Sequence, residues 1–253
     1  AKMTGMSVAD IRAIPAEIGG GFGGKTIVYL EPLAMVLARK SGSPVKMVMS
    51  REEIFRATGP TSGSWNTVRI GATKDGKITA GSATFRFQAG AFPGAPARPA
   101  AMCAFAPYDI ENVESVGIDV VMNRPKSNAY RAPGAPIAAH AVESTMDELA
   151  DKLGLDPVEF RLQNAAKEGS KAAYGPTFKK IGFVETLEAA KAHAHYSAPL
   201  GPNQGRGVAC GFWFNVGGDS SAQLHINEDG TATIITGHPD IGGSRASMVN
   251  ITA

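Results

Sequence analysis

The run EIGGGFGGKT, residues 17–26, constrains this chain more than any other stretch. Five of the six residues from Gly19 to Gly24 are glycine. Glycine loses more conformational freedom on ordering than any other residue, so the run suits neither a helix nor a strand interior. It reads as a loop whose bare backbone lets something approach closely. Its spacing fits two phosphate-binding patterns at once: Gly19, Gly24, Lys25 and Thr26 match G-x-x-x-x-G-K-[ST], and Gly19, Gly21 and Gly24 match G-x-G-x-x-G. A turn without chemical consequence is the plain alternative.

Both phosphate patterns require an apolar strand running into the loop and a helix running straight out of it, so that backbone amides and the helix N-terminus cradle the anion. The approach here is IRAIPAEI, interrupted by Pro15 and Glu17. The exit, residues 27–40, is helix-like but contains Pro32. A proline inside a helix costs ~3 kcal/mol, so that helix either kinks or begins near Pro32. For a dinucleotide fold, a short buried strand at residues 45–49 would lead to Arg51, suitably placed for a ribose phosphate. No further βαβ units follow. A nucleotide-binding module for NADP or ATP, using the loop at residues 19–26, remains the alternative reading.

Elsewhere the chain alternates between strand pairs and helices in blocks, which predicts an α+β fold with mixed sheets and helices. Residues 7–13 read as a strand. Ser50 and Glu53 have capping-box spacing and open a short helix. Residues 67–88 read as two strands around the turn Asp75-Gly76. Residues 89–107 read as a proline-rich loop and residues 114–122 as a strand. The clearest helix spans residues 137–153, with Ala138, Val142, Met146, Leu149 and Leu153 on one face and Gly154 closing it. Asp156 caps the next helix ahead of Pro157. A third helix covers residues 183–192. Strands are expected at residues 207–214, 221–227 and 231–236, the last two joined by Asp229-Gly230. The final stretch, SRASMVNITA, reads as the start of a helix, and the chain as a piece of something longer.

The formal net charge of +2 offers no electrostatic case for nucleic acid or a membrane surface. No apolar run approaches the roughly 20 residues of a membrane span. Cys103 and Cys210 lack metal-ligand spacing and read as buried thiols of a reducing cytoplasm. His193 and His195, two apart, fall on different faces of a helix and read as surface residues.

Three motifs in sequence order carry a resemblance. GGGFGGK resembles the loop of the molybdopterin-binding large subunit of the xanthine dehydrogenase, aldehyde oxidase and carbon monoxide dehydrogenase family. NAYRAPGAP at residues 128–136, a helix, and LGLDPVEFRLQNAAKEG at residues 153–169 resemble that family's arginine turn and its L-G-x-D-P-x-E-x-R-x-x-N continuation. GHPDIGGSRAS at residues 237–247 stands where the family has G-x-x-E-x-G-Q-G. One glycine loop is weak evidence; the ordered set spans nearly the whole chain.

The resemblance implies the fold of the molybdopterin-binding domain of molybdenum hydroxylases, with a first lobe at residues 1–197 and the start of a second at 198–253. It implies a molybdenum–molybdopterin cofactor approached by Gly21, Phe22 and Gly23, by Tyr130, Arg131 and Ala132, and by Gly242, Gly243 and Ser244. Gly243 replaces the family's glutamine, so side-chain recognition of the pterin is weakened there. Phe212 and Trp213 stand where family members place an aromatic over the substrate; core aromatics of a strand are the other reading. Pro133 and Thr26 replace the aromatic and the glutamate of purine-oxidising relatives. The family hydroxylates small molecules with water-derived oxygen, using a glutamate base from a later G-E motif. No such motif occurs here, so no catalytic residue and no protein metal ligand is assigned. Iron–sulfur and FAD groups are implied on partner chains, a small and a medium subunit, alongside the remainder of the large subunit.

Overall fold

The computed structural model describes residues 1–14, 16, 18–214, 218–237, 240–243, 247 and 251. Contacts divide the chain into two units, Gly59–Phe214 and the pair of segments Ala1–Thr58 and Asn215–Ala253. These cuts differ from the 197/198 lobe boundary, which concerns the intact subunit.

The unit Gly59–Phe214 holds the core. Strand β1 (Ser64–Ala72) pairs antiparallel with β2 (Ile78–Gly90) across the Asp75-Gly76 turn, with Val68 opposite Ala83. After α3 (Ala97–Cys103), strand β3 (Asn112–Val121) returns parallel to β2, with Phe85 opposite Gly117, giving a mixed sheet in the order β1-β2-β3. On β2, alternate residues Ala83, Phe85, Phe87 and Ala89 are buried, as the two-residue period of a strand dictates. Helix α4 (Ala135–Leu153) contributes Ala138, Val142, Met146 and Ala150, one every four residues, to the same core as Phe105, Tyr108 and Phe160. Helices α5 (Pro157–Asn164), α6 (Phe183–Ala192) and the short α7 (Ala194–Ser197) complete this unit. His193 caps α7, and both His193 and His195 are exposed.

The described residues of the other unit form a 3₁₀ turn at Val8–Asp10, α1 (Glu31–Ser41), α2 (Arg51–Ala57), and a hairpin of β4 (Ala222–Ile226) and β5 (Ala232–Thr236). None of its described residues is buried. On α1, Leu33, Val36 and Leu37 share one face and are each about half exposed. Pro32 lies in the first turn of α1, so the helix begins there rather than kinking.

Four expectations are corrected. Residues 7–13 form no strand: the Ser7 hydroxyl accepts from the Ala9 amide, and this local bond favours the 3₁₀ turn. Residues 45–49 keep a strand's alternation, with Val45, Met47 and Met49 half-buried, but join no sheet among the described residues. Residues 89–107 are not all loop. Helix α3 forms there because Pro99 falls in its first turn, where a missing N–H is harmless, and Ala97, Ala100 and Cys103 are buried. Residues 207–214 also alternate, yet form no strand. The Cys210 amide bonds the Glu143 carboxylate instead of a neighbouring strand. The expected terminal helix lies mostly outside the described residues.

Candidate cofactor site

The first glycine loop is not a phosphate cradle. Among the described residues no strand enters it, and α1 starts at Glu31, well after the loop's Lys25-Thr26. The Thr26 hydroxyl donates to the Gly23 carbonyl at 2.8 Å, and the Gly24 amide donates to the Gly21 carbonyl at 2.8 Å, so the loop is closed on itself. The Tyr29 hydroxyl ties its Gly24 carbonyl to the Thr58 carbonyl at the end of α2. Phe22 has φ of 48°, the left-handed region that a residue with a Cβ avoids. Its ring lies against Gly20, where a Cβ would come within 2.9 Å of it, and the side chain remains 58% exposed.

The last glycine loop meets the first. The Ile18 amide donates to the Asp240 carbonyl at 3.4 Å, and a Cβ on Gly242 would lie 3.6 Å from the Gly20 nitrogen. Asp240 in turn accepts from the Gly242 amide at 3.0 Å. A Cβ built at Gly19 or Gly243 meets nothing within 4 Å, so open space adjoins both loops. The two glycine loops thus lie against each other. Ser244 lies outside the described residues.

The arginine turn belongs to the core-bearing unit. Arg131 and Ala132 have φ of 24° and 52°. Left-handed backbone costs roughly 1–2 kcal/mol for a residue with a Cβ. What enforces it here is the contact behind the turn. Gly134, at φ of 90°, seats the start of α4 against the start of α3, and a Cβ would sit 2.3 Å from the Pro96 carbonyl oxygen. Tyr130 and Arg131 are exposed.

Phe212 packs among Tyr174, Phe178 and Phe214, with ring centroids 5.7–5.8 Å apart. Trp213 packs against Phe214 at a tilt, with ring centroids 4.9 Å apart, and is 44% exposed.

The segment after α4 is structural. The Asp156 carboxylate caps α5, accepting from the Val158 and Glu159 amides. Arg161, fully buried, donates through Nε to Glu143 at 2.8 Å and reaches Asp147 with its other end. Asn164 clamps the β1–β2 turn: its Oδ1 accepts from the Ile78 amide, and its Nδ2 donates to the Gly76 and Phe160 carbonyls, all at 2.9 Å. Glu143 also accepts from the Tyr108 hydroxyl at 2.5 Å and the Cys210 amide at 2.7 Å. Burial, then the Glu143 charge, pushes the Tyr108 phenol up. Burial opposes the Arg161 charge, but Tyr108 and Glu143 outweigh it and hold the guanidinium charged. Burial raises the Cys103 thiol to about 12 and, with the Glu143 charge, the Cys210 thiol to about 11. Glu143 was not singled out from the sequence. The signal was there: a carboxylate beside the buried Val142 on an otherwise apolar helix face needs a cationic partner.

The molybdopterin cofactor-binding domain family matches residues 1–165, the span that holds the first glycine loop, the arginine turn and the Asp156–Asn164 clamp. The chain belongs to this family. Molybdopterin-binding relatives cover the rest as well. The aldehyde oxidoreductase molybdenum-binding subunit PaoC of Escherichia coli is 33% identical over 100% of this chain and 36% of its own length. The nicotinate dehydrogenase large molybdopterin subunit of Eubacterium barkeri is 35% identical over 77% of this chain and 47% of its own. Among solved structures, aldehyde oxidoreductase from Desulfovibrio desulfuricans superposes with a TM-score of 0.72 at 30% identity, covering 86% of this chain and 25% of that one. The chain therefore spans a third to a half of the length of these curated relatives.

The residues of this molybdopterin-binding chain fit the group. A pterin bearing a phosphate is bulky, polar and anionic. Binding it through backbone calls for loops without side chains in the way. The paired loops of Gly19–Gly21 and Gly242–Gly243 are of that kind, and the space beside Gly19 and Gly243 is open.

Proposed function

We propose that this chain forms part of the molybdenum-cofactor-binding subunit of an oxidoreductase that hydroxylates an aldehyde, an N-heterocycle or a similar small substrate with oxygen from water. The observation that carries this reading is the placement of strained backbone. Among the described residues, three of the four non-glycine residues at positive φ, Phe22, Arg131 and Ala132, fall in the two turns whose motifs resemble the family's. Strain of this kind clusters where backbone is held for a ligand. When bound, the molybdenum centre supplies oxygen transfer and accepts the substrate's electrons. The chain's own contribution is to bind and orient. The Gly242-Gly243-Ser244 backbone would take the pterin, and the Gly21-Phe22-Gly23 and Tyr130-Arg131-Ala132 turns would lie against its metal end. Phe22 and Tyr130, both exposed, are available to exclude water from that end. Phe212 and Trp213 stay candidates for the substrate side.

Thr26 and Pro133 in place of a glutamate and an aromatic favour an aldehyde over a purine. In the intact protein, residues 1–197 form a first cofactor lobe and 198–253 begin a second. The remainder of the large subunit covers the apolar face of α1. Electrons leave through iron–sulfur and FAD groups on a small and a medium subunit in the cytoplasm. No helix among the described residues is long and apolar enough to cross a membrane. The test is turnover of aldehydes by the intact enzyme with an artificial electron acceptor. Activity in protein from molybdate-grown cells and its loss after growth on tungstate is expected. Equal activity in both would overturn the reading.

A further inference from the structure

A depression of about 180 Å³ lies on the β1–β2 sheet, lined by Thr67, Arg69, Ser82, Thr84 and Arg86. It is on the face turned away from the core, because Ala83, Phe85 and Phe87 alternate with these β2 residues and are buried. Strand register assembles it. Thr67 stands directly opposite Thr84, Arg69 opposite Ser82, and Arg86 opposite Trp65. The two arginines therefore lie on opposite sides of the threonine pair, roughly 14 Å apart along the strands at ~3.4 Å per residue. Both still line one depression, so their side chains lean towards each other over the threonines. Among the described residues neither guanidinium has an ion pair or a hydrogen bond, and the Thr67, Ser82 and Thr84 hydroxyls have none either. No lining residue is a carboxylate. On β3 the same face carries Glu114 opposite Ser82, and the apolar Val116 and Ile118 opposite Thr84 and Arg86. Glu114 pairs with neither arginine. Two like charges leaning over one depression repel each other, and an anion between them relieves that repulsion.

We infer that this depression binds a tetrahedral oxoanion: phosphate, sulfate or the phosphate group of an ester. The donors come from three directions, one guanidinium fork from each end and three hydroxyls from the floor. A planar carboxylate has two oxygens and meets one fork at a time. A tetrahedral anion presents oxygens to both forks and to the hydroxyls together. The apolar Val116 and Ile118 on the β3 side lower the local dielectric and strengthen these contacts. The volume is below the ~300–1,000 Å³ of pockets that enclose a whole small molecule, so only the anionic head is held and the rest of an ester stays in solvent. None of these residues is among those assigned to the molybdenum cofactor, and the inference stands apart from that reading.

The experiment is calorimetric titration of the intact protein at low ionic strength with inorganic phosphate, sulfate, glycerol phosphate and acetate. Circular dichroism checks the fold of each sample. Arg69→Gln and Arg86→Gln each remove one fork, Arg69→Lys keeps the charge without the fork, and Thr84→Val removes a floor hydroxyl. Arg124→Gln, at an exposed arginine outside the depression, is the control. A charge-assisted contact supports about ten- to a hundredfold in affinity, so two of them place the phosphate Kd on the order of 1 mM. Phosphate and sulfate are expected to bind one to one, and more weakly as salt is added. Each Gln variant should lose about tenfold and Arg69→Lys less, with acetate far weaker than phosphate throughout. Thr84→Val should weaken binding by a smaller factor, the loss of one neutral contact. Glycerol phosphate binding tighter than phosphate identifies an ester as the ligand, and equal binding identifies the free ion; both support the site. Phosphate affinity that ignores both Gln variants, or falls as far in Arg124→Gln, overturns the inference. Acetate binding as tightly as phosphate overturns it too, and marks the arginines as the seat of a partner's carboxylate. No phosphate binding at ten times the expected Kd has the same consequence.

Discussion

Removing the Arg161 charge should unfold the core-bearing unit more readily than any surface change. The Arg161 side chain is fully buried and that of Glu143 is 6% exposed, so both charges are out of water. Arg161→Met keeps length and apolar bulk but leaves the Glu143 carboxylate, among the described residues, with only the Tyr108 hydroxyl and the Cys210 amide. Breaking a buried ion pair from one side costs ~3–5 kcal/mol, most of it the stranded charge. The second pair, with Asp147, adds little, because Asp147 is 49% exposed and such pairs contribute ~0–1 kcal/mol. For a unit of this size the loss corresponds to roughly 6–20 °C in Tm. The double variant Arg161→Met with Glu143→Gln removes both charges and keeps an acceptor for the Cys210 amide. It should cost less than the sum of the two single changes by about 1–3 kcal/mol. Thermal and urea unfolding followed by near-ultraviolet circular dichroism reads both quantities. A single variant that loses under about 1 kcal/mol, or a double variant that costs the full sum, would refute this account of the network.

Asn164→Ala should cost about 2–4 kcal/mol in the same assay, because it strips buried partners from the Ile78 amide and the Gly76 carbonyl at once; a loss within ~0.5 kcal/mol would contradict the clamp. Cys103 and Cys210 should resist iodoacetamide in the native protein at neutral pH and react on unfolding. Their folded pKa values, about 12 and about 11, lie above the ordinary 9.0, so the stability they contribute is complete below pH 9 and falls as pH rises towards 11–12. Stability that stays flat over that window would count against their burial. ATP and NADPH should show no micromolar binding, and Lys25→Ala should change nothing; nucleotide binding lost in that variant would restore the phosphate-loop reading.

Local chemistry made much of the fold legible. The Asp75-Gly76 hairpin, the Ser50 capping box, the Asp156 cap and the four-residue spacing along α4 each declare themselves within a few residues. What failed depended on partners distant in sequence. Residues 45–49 and 207–214 alternate as strands do, but a ladder needs a neighbour, and for Cys210 the neighbour is a glutamate side chain. Helix α3 was concealed by prolines that mean a break in a helix interior and mean nothing in a first turn. The site divides in the same way. Glycine loops and the arginine turn are legible as motifs, because each is written in a few consecutive residues. The Glu143 network is assembled from Tyr108, Arg161 and Cys210, and no local pattern announces those partners.

The most direct test of the central claim is molybdenum and pterin content of the intact protein, measured for the parent and for Gly23→Val and Gly243→Val. Both glycines have positive φ, at 92° and 85°, and nothing lies within 4 Å of a Cβ at Gly243, so a side chain there meets backbone strain and whatever fills the adjoining space. The account predicts a parent loaded with both metal and pterin, and variants that keep their circular dichroism spectrum while losing most of both. A parent without pterin, or variants that remain fully loaded, would contradict it.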